Sequence, residues 1–291
     1  KIIWFHAASG EIEYCKSVIK ELKSLSPDCQ IALSYSSPSA EKLFENIKSS
    51  VDFIFPLPWD SMKDIKKILR SIQPHLVVFS RTDFWPELIY QSHKIGISLA
   101  AISIFPQKNN FLSRWNYSWL LKRFQYVTTV DNQSLNYLQQ ILPDLNIKNY
   151  PDSRFDQVIH RLQAPTKINL SSCPSLFTMG STWPEDEFIL LPTVSPILQN
   201  NMKIVLAPHD ISRASELLSK IQTLHPDLKI KLLSDFIEKQ SLFDILIVDR
   251  VGYLADIYRY STFTFIGGSF KKRVHSVMEP LCALNIVMFG P

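Results

Sequence analysis

The sequence predicts an α/β protein of two domains, each a mostly parallel sheet with helices on both faces. Three observations carry this. Short runs rich in β-branched and aromatic residues alternate with helical spacings, the alternation stops over residues 157–174, and it then starts afresh. With 291 residues, 46% of them hydrophobic, the chain is long enough for two full cores and too apolar to be disordered.

Residues 2–5 (IIWF) read as a buried strand leading into HAASGE at 6–11. Residues 12–25 then show helical spacing at Ile12, Cys15, Val18, Ile19 and Leu22. The turn Ser9, Gly10, Glu11 therefore falls at the C-terminal end of the first strand, where open α/β sheets bind ligands. Strand and helix repeat at 30–35 and 38–47, 52–55 and 60–72, and 75–80 and 85–93. A strand at 97–104, a helix at 111–124, a strand at 126–130 and a helix at 133–142 follow.

Charged, Pro and Ser residues make 157–174 a linker between domains of 1–156 and 175–291. The second domain has strands at 176–179, 203–206, 229–232, 245–248, 262–266 and 286–289, with helices between them and no internal sequence repeat. Two Rossmann-like domains with mostly parallel sheets facing across a cleft are the GT-B arrangement, a description that also fits some epimerases and phosphorylases. The chain begins at Lys1 rather than Met and closes on Phe-Gly-Pro directly after a strand, so it reads as a fragment with its second domain truncated.

A net charge of +4 suits a phosphorylated ligand or an anionic membrane surface and is too weak to argue nucleic acid. Cys15, Cys29, Cys173 and Cys282 have no C-x-x-C spacing, so neither a disulfide frame nor a metal site is expected. No apolar run reaches transmembrane length.

The richest stretch for chemistry is 267–291. The strand at 262–266 ends on Gly267 and Gly268, where missing side chains let backbone approach a ligand, with Ser269 next. After the basic turn Lys271, Lys272, Arg273, a helix is expected to begin near His275 or Ser276, placing His275 and Glu279 on one face at i, i+4. Strand, glycine turn and helix N-terminus hold phosphates, and Glu279 would accept from ribose hydroxyls. The same residues also fit a plain chain turn followed by solvated helix residues.

Ser181 and Thr182, just before a helix led by Pro184, suit phosphate donation or simple capping. His209 and Arg213 follow a strand and are candidate donors to a nucleotide or sugar acid. Glu11, in an apolar turn, suits a general base or a helix cap, and His6 a structural imidazole. The helix at 111–124, with Phe111, Trp115, Trp119, Leu120 and basic Arg114, Lys122 and Arg123, permits interfacial contact with anionic lipid, although core packing explains it more readily.

Several of these segments resemble the Kdo transferases, GT-B enzymes that move 3-deoxy-D-manno-octulosonic acid (Kdo) from CMP-Kdo onto lipid A precursors. The C-terminal stretch matches at Gly267, Gly268, Ser269, His275, Glu279, Pro280, Phe289, Gly290 and Pro291, and departs at Arg273, Val274 and Ser276. HAASGE is one residue shorter than the common first-strand form. RTDFWPEL at 81–88 matches at Thr82, Asp83, Trp85 and Pro86, with Arg81 where an acid is usual. Further matches fall at Arg154, Phe155 and Asp156, at Gly180, Ser181 and Thr182, at Ala207, Pro208 and His209, and at Gly252, Leu254 and Tyr258.

The resemblance implies an inverting, metal-free transfer with no cofactor, with Glu11 as base and Asp83 as a second catalytic carboxylate. Ser9, Gly10, Ser181, Thr182, His209, Arg213, Gly267, Gly268, Ser269, Lys271, Lys272, Arg273, His275, Ser276 and Glu279 would line the substrates. It also implies a place at the cytoplasmic face of the inner membrane, by peripheral contact or through an apolar N-terminal anchor of the kind family members carry, which lies outside this sequence. Two other readings remain at this point. One is a different GT-B nucleotide-sugar enzyme, such as a lipid-linked disaccharide synthase or an epimerase. The other is a non-catalytic GT-B-like binding protein.

Overall fold

The computed structural model describes residues 1–106, 117–271 and 274–291. The chain divides into two compact units, 1–157 and 158–291.

The first unit holds one parallel sheet. Its strands are β1 (Ile2–Ala7), β2 (Gln30–Tyr35), β3 (Phe53–Pro56), β4 (Leu76–Ser80), β5 (Ser98–Ile104), β6 (Tyr126–Thr129) and β7 (Ile147–Asn149), in the order β3-β2-β1-β4-β5-β6-β7. Neighbouring residues of each strand point to opposite faces, so the sheet needs two cores. Trp4, Val77, Phe79, Leu99 and Ala101 pack into one with Ile65, Leu88 and Leu138; Phe5, Val78 and Ala100 pack into the other with Ile12, Cys15 and Ile19. The strand order reverses direction between β1 and β4. The crevice beyond their C-terminal ends is the switch point where such sheets take ligands.

The second unit is built the same way. Strands β8 (Leu176–Thr182), β9 (Lys203–Pro208), β10 (Ile230–Leu232), β11 (Ile245–Ile247), β12 (Phe263–Ile266) and β13 (Ile286–Met288) form a parallel sheet in the order β10-β11-β9-β8-β12-β13. Phe177, Met179, Ile204, Leu206 and Ile247 face one core, and Leu176, Val205, Ala207, Leu246 and Val248 the other. Here the reversal falls between β8 and β12.

Several expectations need correction. Residues 157–174 are not a bare linker: the helix Arg154–Gln163 runs into them, and Ile168 and Leu170 are buried in the second unit's core. The segment expected as an α-helix at 38–47 is the 3₁₀ helix Pro38–Asn46. β7 was not expected, because only Ile147 of its three residues is buried and the run is too short to show a period.

The helix expected from His275 begins instead at Met278 and ends at Cys282. A start at His275 would put Pro280 in the sixth position, where its absent N–H and its ring break the hydrogen-bond ladder. The observed start leaves Pro280 in the first turn, where no N–H is needed. His275 and Glu279 thus do not share a helical face.

Of the helix expected at 111–124, residues 111–116 lie outside the described ones; Leu120, Leu121 and Phe124 are buried in the first unit's core. Among the described residues no helix is long and apolar enough to cross a membrane.

Candidate active site

In the first unit the switch point gathers residues from the ends of β1 and β4. His6 is fully buried on β1, with Nδ1 2.8 Å from Ser34 Oγ and Nε2 3.0 Å from Asp83 Oδ2. Ser34 Oγ also accepts from Trp4 Nε1 at 2.8 Å, and because an ionised carboxylate can only accept, the His6 Nε2–H donates to Asp83. Ser36 Oγ also donates to Asp83, at 3.1 Å. Burial raises the Asp83 carboxyl, but donation from His6, Trp85 and Ser36 outweighs it and holds the group below the usual carboxylate range. His6 is therefore structural in its burial and yet tied directly to a carboxylate of the site.

Glu11 lies one turn past β1, within the 3₁₀ turn Ser9–Glu11. Its Oε2 is buried and has no hydrogen-bond partner among the described residues. Burial first, and the Asp83 charge second, push its carboxyl up to about 7, against the opposing pull of the Ala8 and Thr82 backbone and of Arg81. Two carboxylates with opposed environments result: Asp83 held ionised, and Glu11 poised near neutrality to take a proton. Gly10 has open space where a side chain would project, so sterics do not require glycine there. The Ser9 side chain lies outside the described ones.

In the second unit the expected phosphate-binding groups turn out to be engaged in holding the fold. The Gly267 N–H donates to Gly180 O at 2.9 Å, and the Gly268 N–H to Asp186 Oδ2 at 2.9 Å. The same Asp186 oxygen accepts from the Trp183 N–H at 2.8 Å, and Asp186 is fully buried. A Cβ on Gly267 would stand 2.4 Å from Ser181 O and 2.8 Å from Asp186 Oδ2, so this glycine is required by close packing of β12 on β8 rather than by a ligand.

Thr182 is likewise buried, its hydroxyl donating to Glu187 Oε1 at 3.1 Å. Arg213 clasps the buried Glu187 with two bonds of 3.0 and 2.7 Å. Ser269 Oγ accepts from the Gly290 N–H at 2.8 Å, and Glu279 pairs with Arg161. These residues were expected to touch substrate; Thr182 and Ser269 are buried and so must pair inside the protein, while the part-exposed Arg213 and Glu279 are held in ion pairs.

What opens to solvent instead is a cleft of about 440 Å³ lined by Trp183, His209, Lys271 and His275. Trp183 and His275 lie nearly coplanar, 6° apart, and the indole Nε1–H donates to His275 Nε2 at 2.9 Å. The His209 ring stacks against both, 4.4 Å from Trp183 and 4.5 Å from His275. Lys271 Nζ sits 3.8 Å from the Trp183 ring centroid.

The backbone brings these rings together. His209 N–H donates to Thr182 O at 2.8 Å and His275 N–H to Gly267 O at 3.2 Å, fixing both loops to the ends of β8 and β12. Ser181 has a positive φ of 54° at this bend, and Ser276 is exposed, with Oγ 3.4 Å from the Met278 N–H. Lys272 and Arg273 lie outside the described residues. Sequence reading missed Trp183; its one signal was the position between the end of a strand and Pro184. Among the described residues no group of three or more His, Cys, Asp or Glu side chains could hold a metal ion.

Two all-parallel α/β sheets, each with side chains gathered at its switch point, define a GT-B-like protein, and solved structures bear this out. The UDP-GlcNAc 2-epimerase of Neisseria meningitidis aligns with a TM-score of 0.58 at 14% identity, over 91% of this chain and 76% of that one. MurG of Acinetobacter baumannii aligns with a TM-score of 0.55 at 10% identity, over 99% of this chain and 86% of that one. At such identities the likeness is one of fold.

Residues 1–157 match the family described as 3-deoxy-D-manno-octulosonic-acid transferase (kdotransferase), and the chain belongs to that family. The 3-deoxy-D-manno-octulosonic acid transferases of Chlamydophila psittaci and Rickettsia prowazekii are 28% and 25% identical over the whole of this chain, covering 69% and 64% of their own lengths. The chain thus spans about two thirds of these relatives.

Proposed function

We propose that this chain carries out sugar transfer from CMP-Kdo to a hydroxyl of a lipid A precursor, with inversion, in lipopolysaccharide biosynthesis at the cytoplasmic face of the inner membrane. Glu11 takes the acceptor proton. The freed oxygen bonds to the anomeric carbon of Kdo, the bond from that carbon to the phosphate oxygen breaks, and CMP leaves with the electron pair. Asp83 stays ionised, positioned by His6, and keeps the Glu11 carboxylate basic. On the second unit, Lys271 meets the phosphate, while Trp183 and His209 offer ring surface to the nucleotide.

The observation that carries this reading is the buried, unpartnered Glu11 oxygen on a carboxyl raised to about 7, in a chain of this family. A base with a pKa near the working pH is the most effective kind.

The test is Glu11→Gln in the full-length protein, assayed with CMP-Kdo and a lipid A precursor. Transfer should fall about a hundred- to ten-thousand-fold, with CMP affinity by calorimetry unchanged. Parental turnover in the variant would remove Glu11 from the mechanism.

A further inference from the structure

Beside Glu11 the first unit carries a second arrangement, of which general-base chemistry uses only the charge of Arg81. Arg81 follows β4 directly and holds a positive φ of 60°, a conformation costly for a residue with a Cβ; its N–H donates to Ile102 O at 2.9 Å. Its guanidinium carbon lies 4.8 Å from the Tyr14 ring centroid and 5.3 Å from that of Phe105. Arg154 brings a second guanidinium to the same tyrosine, at 4.4 Å.

The two cations differ in how far they are satisfied. Arg154 gives Nε and Nη2 to Asp152, at 3.1 and 2.7 Å, which leaves Nη1 without a partner among the described residues. Arg81 has neither a hydrogen-bond nor an ion-pair partner for its guanidinium among the described residues. Asp152 engages Arg154 alone, and the charge of Arg81 faces Glu11 across the site without a hydrogen bond to it, so Arg81 keeps a set of donors in the fork geometry that suits oxyanions.

We propose that Arg81 and Arg154 form an oxyanion subsite on the first unit that takes a phosphate group of the acceptor and holds its hydroxyl at Glu11. Both guanidinium groups rest on the Tyr14 ring, 4.8 and 4.4 Å from its centroid. The assignment of this phosphate to the acceptor rests on the transferase reading; the subsite itself does not.

Titration of the full chain with inorganic phosphate, followed by ³¹P line broadening at constant ionic strength, separates the two. The parent should bind phosphate more tightly than acetate. Arg81→Gln should weaken phosphate at least tenfold, Arg154→Gln should weaken it less, and Arg81→Lys should restore part of the loss, all with parental circular dichroism. Absence of phosphate binding in the parent overturns the proposal and leaves the Glu11 test untouched. So does equal binding of acetate, or weakening by Lys271→Gln and not by Arg81→Gln, which would put the anion on the second unit. Phosphate binding that depends on Arg81, in a chain that transfers no sugar, would support the subsite and sink the transferase reading.

Discussion

Glu11 shows how one side chain's surroundings set both chemistry and stability. Its carboxyl is raised from 4.5 to about 7, so the folded state favours the protonated form. The sign follows: the stabilisation from holding that proton is complete below about 4.5 and is lost as pH rises through about 7, above which an ionised, partly buried carboxylate costs stability. Because the group is not fully enclosed, the cost is screened to about 1 kcal/mol. Glu11→Gln should therefore melt higher than the parent at pH 8 and at the same temperature at pH 4.5. A variant that melts lower at pH 8 would show that Glu11 is not strained by its burial.

Asp83→Asn removes the neighbouring charge that raises Glu11. The acidic limb of the pH profile of kcat/KM should move to lower pH, and an unmoved limb would mean that Asp83 does not act on Glu11. The His6 link to Asp83 was not legible in the sequence, since residues 77 apart meet only when β1 and β4 pair.

The strands were the most legible elements, because buried parallel strands are written as unbroken apolar runs. Less legible was what happens where strands end. Gly267 and Gly268 read as room for a ligand, whereas Gly267, like Gly180, is fixed by protein atoms. A Cβ on Gly180 would stand 2.1 Å from the Tyr258 hydroxyl oxygen, and one on Gly267 would meet the backbone of Ser181 and Thr182. Gly180→Ala should cost about 1–3 kcal/mol by overpacking, and Tyr258→Phe in the same chain should recover most of it, since the next contact is 3.1 Å away. Gly267→Ala should resist such rescue, because no side-chain change moves the Ser181 carbonyl. Denaturant titration of the two pairs checks this; equal rescue at both positions would contradict the packing account. The pairing of Thr182 and Arg213 with Glu187 escaped the sequence for a related reason: which polar groups are already satisfied depends on burial.

At the scale of the whole molecule, each unit gathers its candidate site residues at the reversal of its own strand order: β1 beside β4 in the first and β8 beside β12 in the second. Tasks assigned to separate units should show in independent mutational effects. If Trp183 stacks on the nucleotide as proposed, losing that stacking costs about 1–3 kcal/mol. Trp183→Ala should accordingly weaken CMP by roughly 5- to 150-fold, while the Glu11-dependent limb of the pH profile of kcat/KM keeps its position. The double variant Glu11→Gln, Trp183→Ala should bind CMP as Trp183→Ala does and show no such limb. Calorimetry with CMP and a pH series on the four chains test the division together. If Glu11→Gln changes the CMP affinity of the Trp183→Ala chain, the first unit takes part in holding the nucleotide. If Trp183→Ala leaves CMP affinity at the parental value, the aromatic cluster of Trp183, His209 and His275 is not the nucleotide's seat, and Lys271 would be the next group to replace.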